Sequence, residues 1–168
     1  MRRGALVAAL VVAVPALAAP SGTAPRLGAQ SLLQLPRPLP SPYDSRADAA
    51  RDFEAALARA KKSGKPVVVD FGANWCFECR VFAGVLALPD MRRYVARNFE
   101  LVIVDIGRFD RNLDIAARYG AKVRAVPAVL VVDARSSKAR NPRTLWLADS
   151  VPSHKPQEMA DWLAKWAN

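Results

Sequence analysis

Both cysteines of the chain fall in one tetrapeptide, Cys76-Phe77-Glu78-Cys79. A β-branched run ends just before it and a helical pattern begins just after it, so the pair sits at a strand-to-helix junction. Four chemistries fit two thiols three residues apart. A structural disulfide would close a tiny loop and constrain the unfolded chain by only roughly 2 kcal/mol, less than a long loop gives. A zinc site needs four ligands, and the single histidine, His154, lies far along the chain in an apparent loop; soft-metal capture by two thiolates stays open. Haem attachment needs a histidine directly after the second cysteine, and Arg80 stands there instead. The fourth is a redox dithiol, which the local physics favours.

Cys76 is placed at the N-terminus of the following helix, where unpaired N–H groups and the helix dipole favour a thiolate. Cys79 lies one turn further in, more buried and within reach for a disulfide. Cys76 is therefore the attacking sulfur and Cys79 the resolving one. Arg80, four residues after Cys76, adds positive charge on nearly the same helix face. Glu78 opposes it, since a carboxylate beside a thiol disfavours the thiolate.

The elements that position this pair are legible from periodicity. Ala49, Phe53, Ala56, Leu57 and Ala60 recur at helical spacing, with Asp44 or Ser45 as the expected cap and Gly64 as the stop. Val67–Phe71 reads as a buried strand. The helix after Cys79 runs to Leu86 and is broken at Pro89. Asp90–Asn98 is a short amphipathic helix, Leu101–Ile106 a second strand, and Asn112–Tyr119 a further helix closed by Gly120. Ala128–Val132 and Thr144–Leu147 read as an antiparallel hairpin, and Lys155–Trp166 as a final helix. Strands alternating with helices predict an α/β fold around a central sheet.

The N-terminus divides differently. Arg2 and Arg3 precede an uncharged apolar run from Ala5 to Ala19, and Ala16-Leu17-Ala18 is a small-x-small cleavage pattern. Residues 1–18 are read as a signal peptide. About 15 apolar residues fall short of the roughly 20 that span a membrane, although residues 5–19 would act as an anchor if left uncleaved. Residues 19–43 carry repeated prolines among Ser, Gly and Gln and read as an extended linker, with Leu32, Leu33 and Leu35 as a candidate edge strand. Residues 44–168 form the folded domain.

Composition is 52% hydrophobic and 24% charged, which excludes a disordered chain, a coiled coil and a polytopic membrane protein. The net charge is +10, from 25 basic against 15 acidic side chains. The basic residues are scattered, and no aromatic-interleaved basic stripe occurs, so nucleic acid is not an expected partner. Loss of residues 1–18 removes Arg2 and Arg3 and leaves a net charge of +8.

Val69-Asp70-Phe71-Gly72-Ala73-Asn74-Trp75-Cys76-Phe77-Glu78-Cys79-Arg80 resembles the active-site segment of thioredoxins. Arg124-Ala125-Val126-Pro127-Ala128 is similar to that family's cis-proline loop. The Gly64-Lys65-Pro66 entry and the Leu88-Pro89-Asp90 break look most like the periplasmic thioredoxin-like domain of membrane thiol–disulfide interchange proteins. The resemblance spans about residues 45–168 and implies a thioredoxin-like fold, a mixed sheet flanked by helices. It implies that Cys76 and Cys79 are the redox pair and that Asp70 is a buried carboxylate moving protons to and from Cys79. Trp75 would shield and shape the site, and a cis Pro127 with the Val126 backbone would bind substrate. Glu78 and Arg80 would modulate the dithiol.

Phe77-Glu78 replaces the Gly-Pro common in cytosolic thioredoxins, Ala128 replaces a common Thr, Leu101 replaces a basic residue, and the 105–112 segment is longer. The resemblance still implies a thiol–disulfide oxidoreductase that reduces or isomerises protein disulfides. It would use no metal and no cofactor beyond the Cys76–Cys79 disulfide. Expected partners are protein thiols and disulfides and an electron-donor protein, which could be membrane-bound; the expected state is a monomer in the periplasm or secreted. The rival is a non-catalytic thioredoxin-fold binding or assembly module.

Overall fold

The computed structural model describes residues 22–145 and 155–167. Among the described residues the first α-helix, α1 (Ala49–Ser63), buries the five apolar positions read from its period. Its cap is Asp48, whose carboxylate accepts from Arg51 N at 3.0 Å. Asp44, the cap expected from sequence, instead accepts from Arg46 N two residues on. Gly64, at φ 77°, ends the helix in the left-handed conformation that glycine adopts without steric cost.

Strand β1 (Val67–Gly72) follows and is buried along its whole length. Helix α2 (Phe77–Ala87) and helix α3 (Pro89–Asn98) come next. Pro89 does stop α2, and it also opens α3, where its missing N–H has no partner to lose. Strand β2 (Glu100–Asp105) and the four-residue helix α4 (Asp114–Ala117) precede strand β3 (Ala128–Asp133). Strand β4 (Lys138–Ala139) and helix α5 (Pro156–Ala164) complete the α/β fold.

The sheet order is β2-β1-β3-β4. β1 runs parallel to β2 and antiparallel to β3, so the sheet is mixed. Side chains alternate across it. Val67, Val69, Phe71, Val102, Val104, Leu130 and Val132 face α1 and α4. Val68, Val129 and Val131 face α2, α3 and α5. Asp70 shares the parity of Val68 and therefore lies on the α2 face.

The hairpin differs from expectation. β4 begins at Lys138, and only residues 144 and 145 of the expected 144–147 strand are described, neither as strand. Beyond Arg140 the main chain leaves β3, and the buried Asn141 side chain takes its place. Its Oδ1 accepts from Val131 N at 2.8 Å and its Nδ2 donates to Val129 O at 2.7 Å. The ladder resumes with Val129 N donating to Leu145 O.

The Pro-rich segment, read as a free linker, is seated on the domain. Leu27, Leu35 and Leu39 are buried with the α2, α3 and α5 side chains. Leu32–Gln34 is a 3-10 turn rather than an edge strand, and Leu33 is 85% exposed. A chain this rich in proline cannot form a ladder, so its main-chain groups take side-chain partners instead. Gln157 of α5 accepts from Leu27 N and donates to Pro25 O. Arg80 of α2 donates to Leu39 O and Pro40 O. Gly84 of α2 leaves the space that Leu39 and Leu35 fill, since a Cβ there would stand 3.2 Å from Leu39 Cδ2.

No helix among the described residues is long and apolar enough to cross a membrane. The expected signal peptide, the apolar run 5–19 and His154 lie outside the described residues.

Candidate active site

α2 begins just beyond the C-terminal end of the inner strand β1, and the four residues between them turn the chain through Cys76. Cys76 N donates to Ala73 O, and Cys76 is the N-cap of α2. Its sulfur accepts from Cys79 N at 3.1 Å, in the role an Asp or Ser oxygen usually plays. The helix N-terminus is therefore aimed at this sulfur, which favours negative charge on it when the pair is reduced. Cys76 and Cys79 are joined as a disulfide, with Cα atoms 5.3 Å apart. Cys79 is fully buried, while Cys76 keeps 4% of its surface in solvent. An incoming sulfur reaches Cys76 first.

The Val126–Pro127 peptide bond is cis and lies against this pair. Val126 O is 3.7 Å from Cys76 Sγ, a packing contact in the disulfide and an acceptor for the thiol proton once it is reduced. Pro127 is buried and leads directly into β3.

Asp70 lies beneath, fully buried in the middle of β1. Its neighbours across the sheet are Ile103 and Val129, both apolar. Burial pushes its carboxyl up to about 7, against a hydrogen bond from Tyr43 that pulls it down. Tyr43 Oη donates to Asp70 Oδ2 at 2.9 Å, and Asp70 Oδ1 has no partner among the described residues. The Tyr43 ring packs with both cysteines. Burial first, and the Asp70 charge second, hold the Tyr43 phenol far above its ordinary range, so it stays protonated and remains a donor.

Tyr43 and its supports were not found from the sequence. Asn74 grips the Tyr43 main chain, accepting from its N at 3.1 Å and donating to its O at 2.8 Å. A Cβ on Gly72 would fall 2.5 Å from the Tyr43 ring, so glycine is required there. Tyr43 stands 27 residues before Asp70, at the end of a segment whose composition reads as unstructured. The one available signal was indirect: a carboxylate inside Val67–Phe71 needs a partner or a proton.

Trp75 is not a core aromatic. It is 51% exposed beside the disulfide, and its Nε1 donates to Gly107 O at 2.8 Å. The longer 105–112 segment thus orients it, with the Phe109 ring 6.2 Å away and the Arg108 guanidinium 5.9 Å over the indole. Phe77, 54% exposed, and Glu78, also exposed, flank Cys76 on the first turn of α2. Arg80, expected to modulate the dithiol, is turned to the N-terminal segment. Its donors are occupied by Leu39 O and Pro40 O, because the proline-rich segment presents carbonyls that lack a ladder partner. A cleft of about 320 Å³ opens beside Trp75, between Asn74 and the Gly107–Arg111 turn. Neither cysteine lines it. Among the described residues, no group of three or more His, Cys, Asp or Glu is placed to hold a metal ion.

Residues 48–134 match the family described as thioredoxin-like. The H-type thioredoxin of Oryza sativa subsp. indica is 30% identical over 105 residues, covering 61% of this chain and 80% of that protein. The thiol:disulfide interchange protein DsbD of Vibrio vulnificus is 27% identical over 101 residues, covering 60% of this chain but 17% of that protein. Among solved structures, the disulphide isomerase from Xylella fastidiosa Temecula1 superposes with a TM-score of 0.67 at 36% identity, covering 77% of this chain and 99% of that one. With a disulfide at the N-terminus of α2, a cis-proline against it and this kinship, the chain belongs to the thioredoxin-like family of thiol–disulfide oxidoreductases.

Proposed function

We propose that this protein reduces or isomerises disulfides of other proteins outside the cytoplasm, with Cys76 as nucleophile. The observation that carries this is the Cys76 sulfur at the α2 N-cap, accepting from Cys79 N, on the one cysteine of the pair that reaches solvent. The Cys76 thiolate attacks one sulfur of a substrate disulfide. A Cys76–substrate bond forms, the substrate S–S bond breaks, and the leaving thiolate takes a proton from solvent. Cys79 passes its proton to Asp70 and attacks Cys76 Sγ, expelling the second substrate thiolate. Two electrons have moved to the substrate, and Cys76–Cys79 is oxidised. A donor protein carrying a dithiol, soluble or in the membrane, then restores the reduced pair.

The exposed faces of Trp75 and Phe77 and the Val126 main chain form the surface on which the substrate segment lies. Glu78, on the first turn of α2, opposes negative charge on Cys76 and so works against a strongly oxidising pair. The solved disulphide isomerase and the interchange protein DsbD support an exchange role, and the signal-like residues 1–18 support export.

Insulin-disulfide reduction by the full chain tests this. Wild type should turn over, and Cys76→Ser should show none. The Cys76–Cys79 potential against glutathione sets the direction: a value near about −270 mV is that of a reductant, whereas about −120 mV would mark an oxidant and end the reducing assignment. Absence of Cys76-dependent turnover would leave only a binding role.

A further inference from the structure

Asp70 is fully buried. Across the sheet stand Ile103 on β2 and Val129 on β3. The cysteine pair belongs to α2, and Tyr43 comes from the N-terminal segment. None of these carries a fixed charge, and no cation contributes to the Asp70 carboxyl. Among the described residues, the one group that hydrogen-bonds to it is the Tyr43 hydroxyl.

A buried carboxylate with one donor is poorly compensated, so the strength of that donor decides how much of it stays ionised near neutral pH. Tyr43 is held as a built part of the site. Its ring fills the space left by Gly72, its main chain is gripped by Asn74, and the segment just before it is tied to Arg80 through Leu39 O and Pro40 O.

We propose that Tyr43, carried into the site by the N-terminal segment, is a positioning residue that keeps the Asp70 carboxylate ionised and oriented as the base for Cys79. This rests on the oxidoreductase function proposed above. Asp70 takes the Cys79 proton on one oxygen while the other keeps the Tyr43 hydrogen bond. The Tyr43 proton never leaves its oxygen, which the high phenol value of Tyr43 forbids.

Tyr43→Phe keeps the ring and removes only the donor. The Asp70 carboxyl is followed by carbon NMR of the oxidised full chain, with Asp70→Asn assigning the signal. Its titration midpoint should rise by about one to two pH units in Tyr43→Phe, because a hydrogen bond to a charged group is lost. In insulin reduction the acid limb of the pH–rate profile should move up in parallel, leaving roughly five- to fiftyfold less activity at pH 7 and near wild-type activity at high pH. In an Asp70→Asn background, Tyr43→Phe should not move the profile. 3-Fluorotyrosine at position 43 is a stronger donor with the fold undisturbed, and it should lower the midpoint. An Asp70 midpoint that stays put or falls in Tyr43→Phe overturns the proposal. So does a uniform loss of rate with no displacement along pH. If wild type has no Cys76-dependent turnover, the oxidoreductase function fails and takes the Cys79 base role with it. Wild-type turnover with an unmoved Tyr43→Phe profile sinks the Tyr43 role alone.

Discussion

At Asp70 the fold maintains a group that opposes its own stability. The carboxyl is held up at about 7 by burial, against about 3.9 in an unfolded chain. The folded state therefore binds more protons than the unfolded state between about pH 4 and pH 7, and stability falls across that window as pH rises. The contribution is complete below about pH 4 and lost above about pH 7, by an amount on the order of 4 kcal/mol. Asp70→Asn cannot ionise, so it should be more stable than wild type at pH 8 by up to about that amount, with the advantage vanishing near pH 4. Urea unfolding of the oxidised forms at both pH values measures it. A gain independent of pH would mean that folding does not raise the Asp70 carboxyl above its unfolded value. Asp70 was visible in the sequence as a carboxylate within an apolar strand, because its neighbours leave it nowhere else to be. Its donor was not visible, because Tyr43 is local to Asp70 only in space.

At the scale of elements, what the sequence made legible was whatever depends on local period. The α1 core positions and β1 follow from spacing alone, and so does the placement of Cys76 at a helix start. The short strand Lys138–Ala139 was not read, because the pairing beyond it depends on one side chain rather than on a main-chain run. Asn141 replaces the ladder between Val131 N and Val129 O while the chain detours through Pro142. Arg80 was misjudged for a related reason: helical spacing gave its approximate face, but not the unpaired carbonyls of Leu39 and Pro40 that claim its donors. Asn141→Leu would leave a buried N–H and a buried C=O of β3 without partners. At about 1–3 kcal/mol for each orphaned group, it should cost roughly 2–6 kcal/mol, read as a lower urea midpoint. An unchanged midpoint would mean that the 142–145 main chain can close the ladder by itself.

Across the whole molecule, the N-terminal segment joins the fold to the site. Leu27, Leu35 and Leu39 cover the outer face of α2 and α5, and the same segment ends at Tyr43 beneath the dithiol. Removing residues 22–42 should therefore have two separable effects. The first is energetic. Each buried leucine is worth about 1.5–3 kcal/mol of transfer from water, partly offset by the freedom the segment regains. Its prolines limit that freedom, since their φ is already fixed. A net loss of roughly 2–4 kcal/mol is expected, with new apolar surface that binds a hydrophobic dye. The second effect is chemical. Tyr43 keeps its Asn74 grip but loses the Arg80 tie one turn upstream, so its hold on Asp70 loosens. The Asp70 midpoint should then rise in the direction expected for Tyr43→Phe, by a smaller amount. Unfolding midpoints and the carboxyl titration of the shortened chain measure the two effects separately. A shortened chain as stable as the full one would show that these leucines do not contribute to the core. A stability loss with an unmoved Asp70 would show that Asn74 and the Gly72 gap suffice to hold Tyr43 in place.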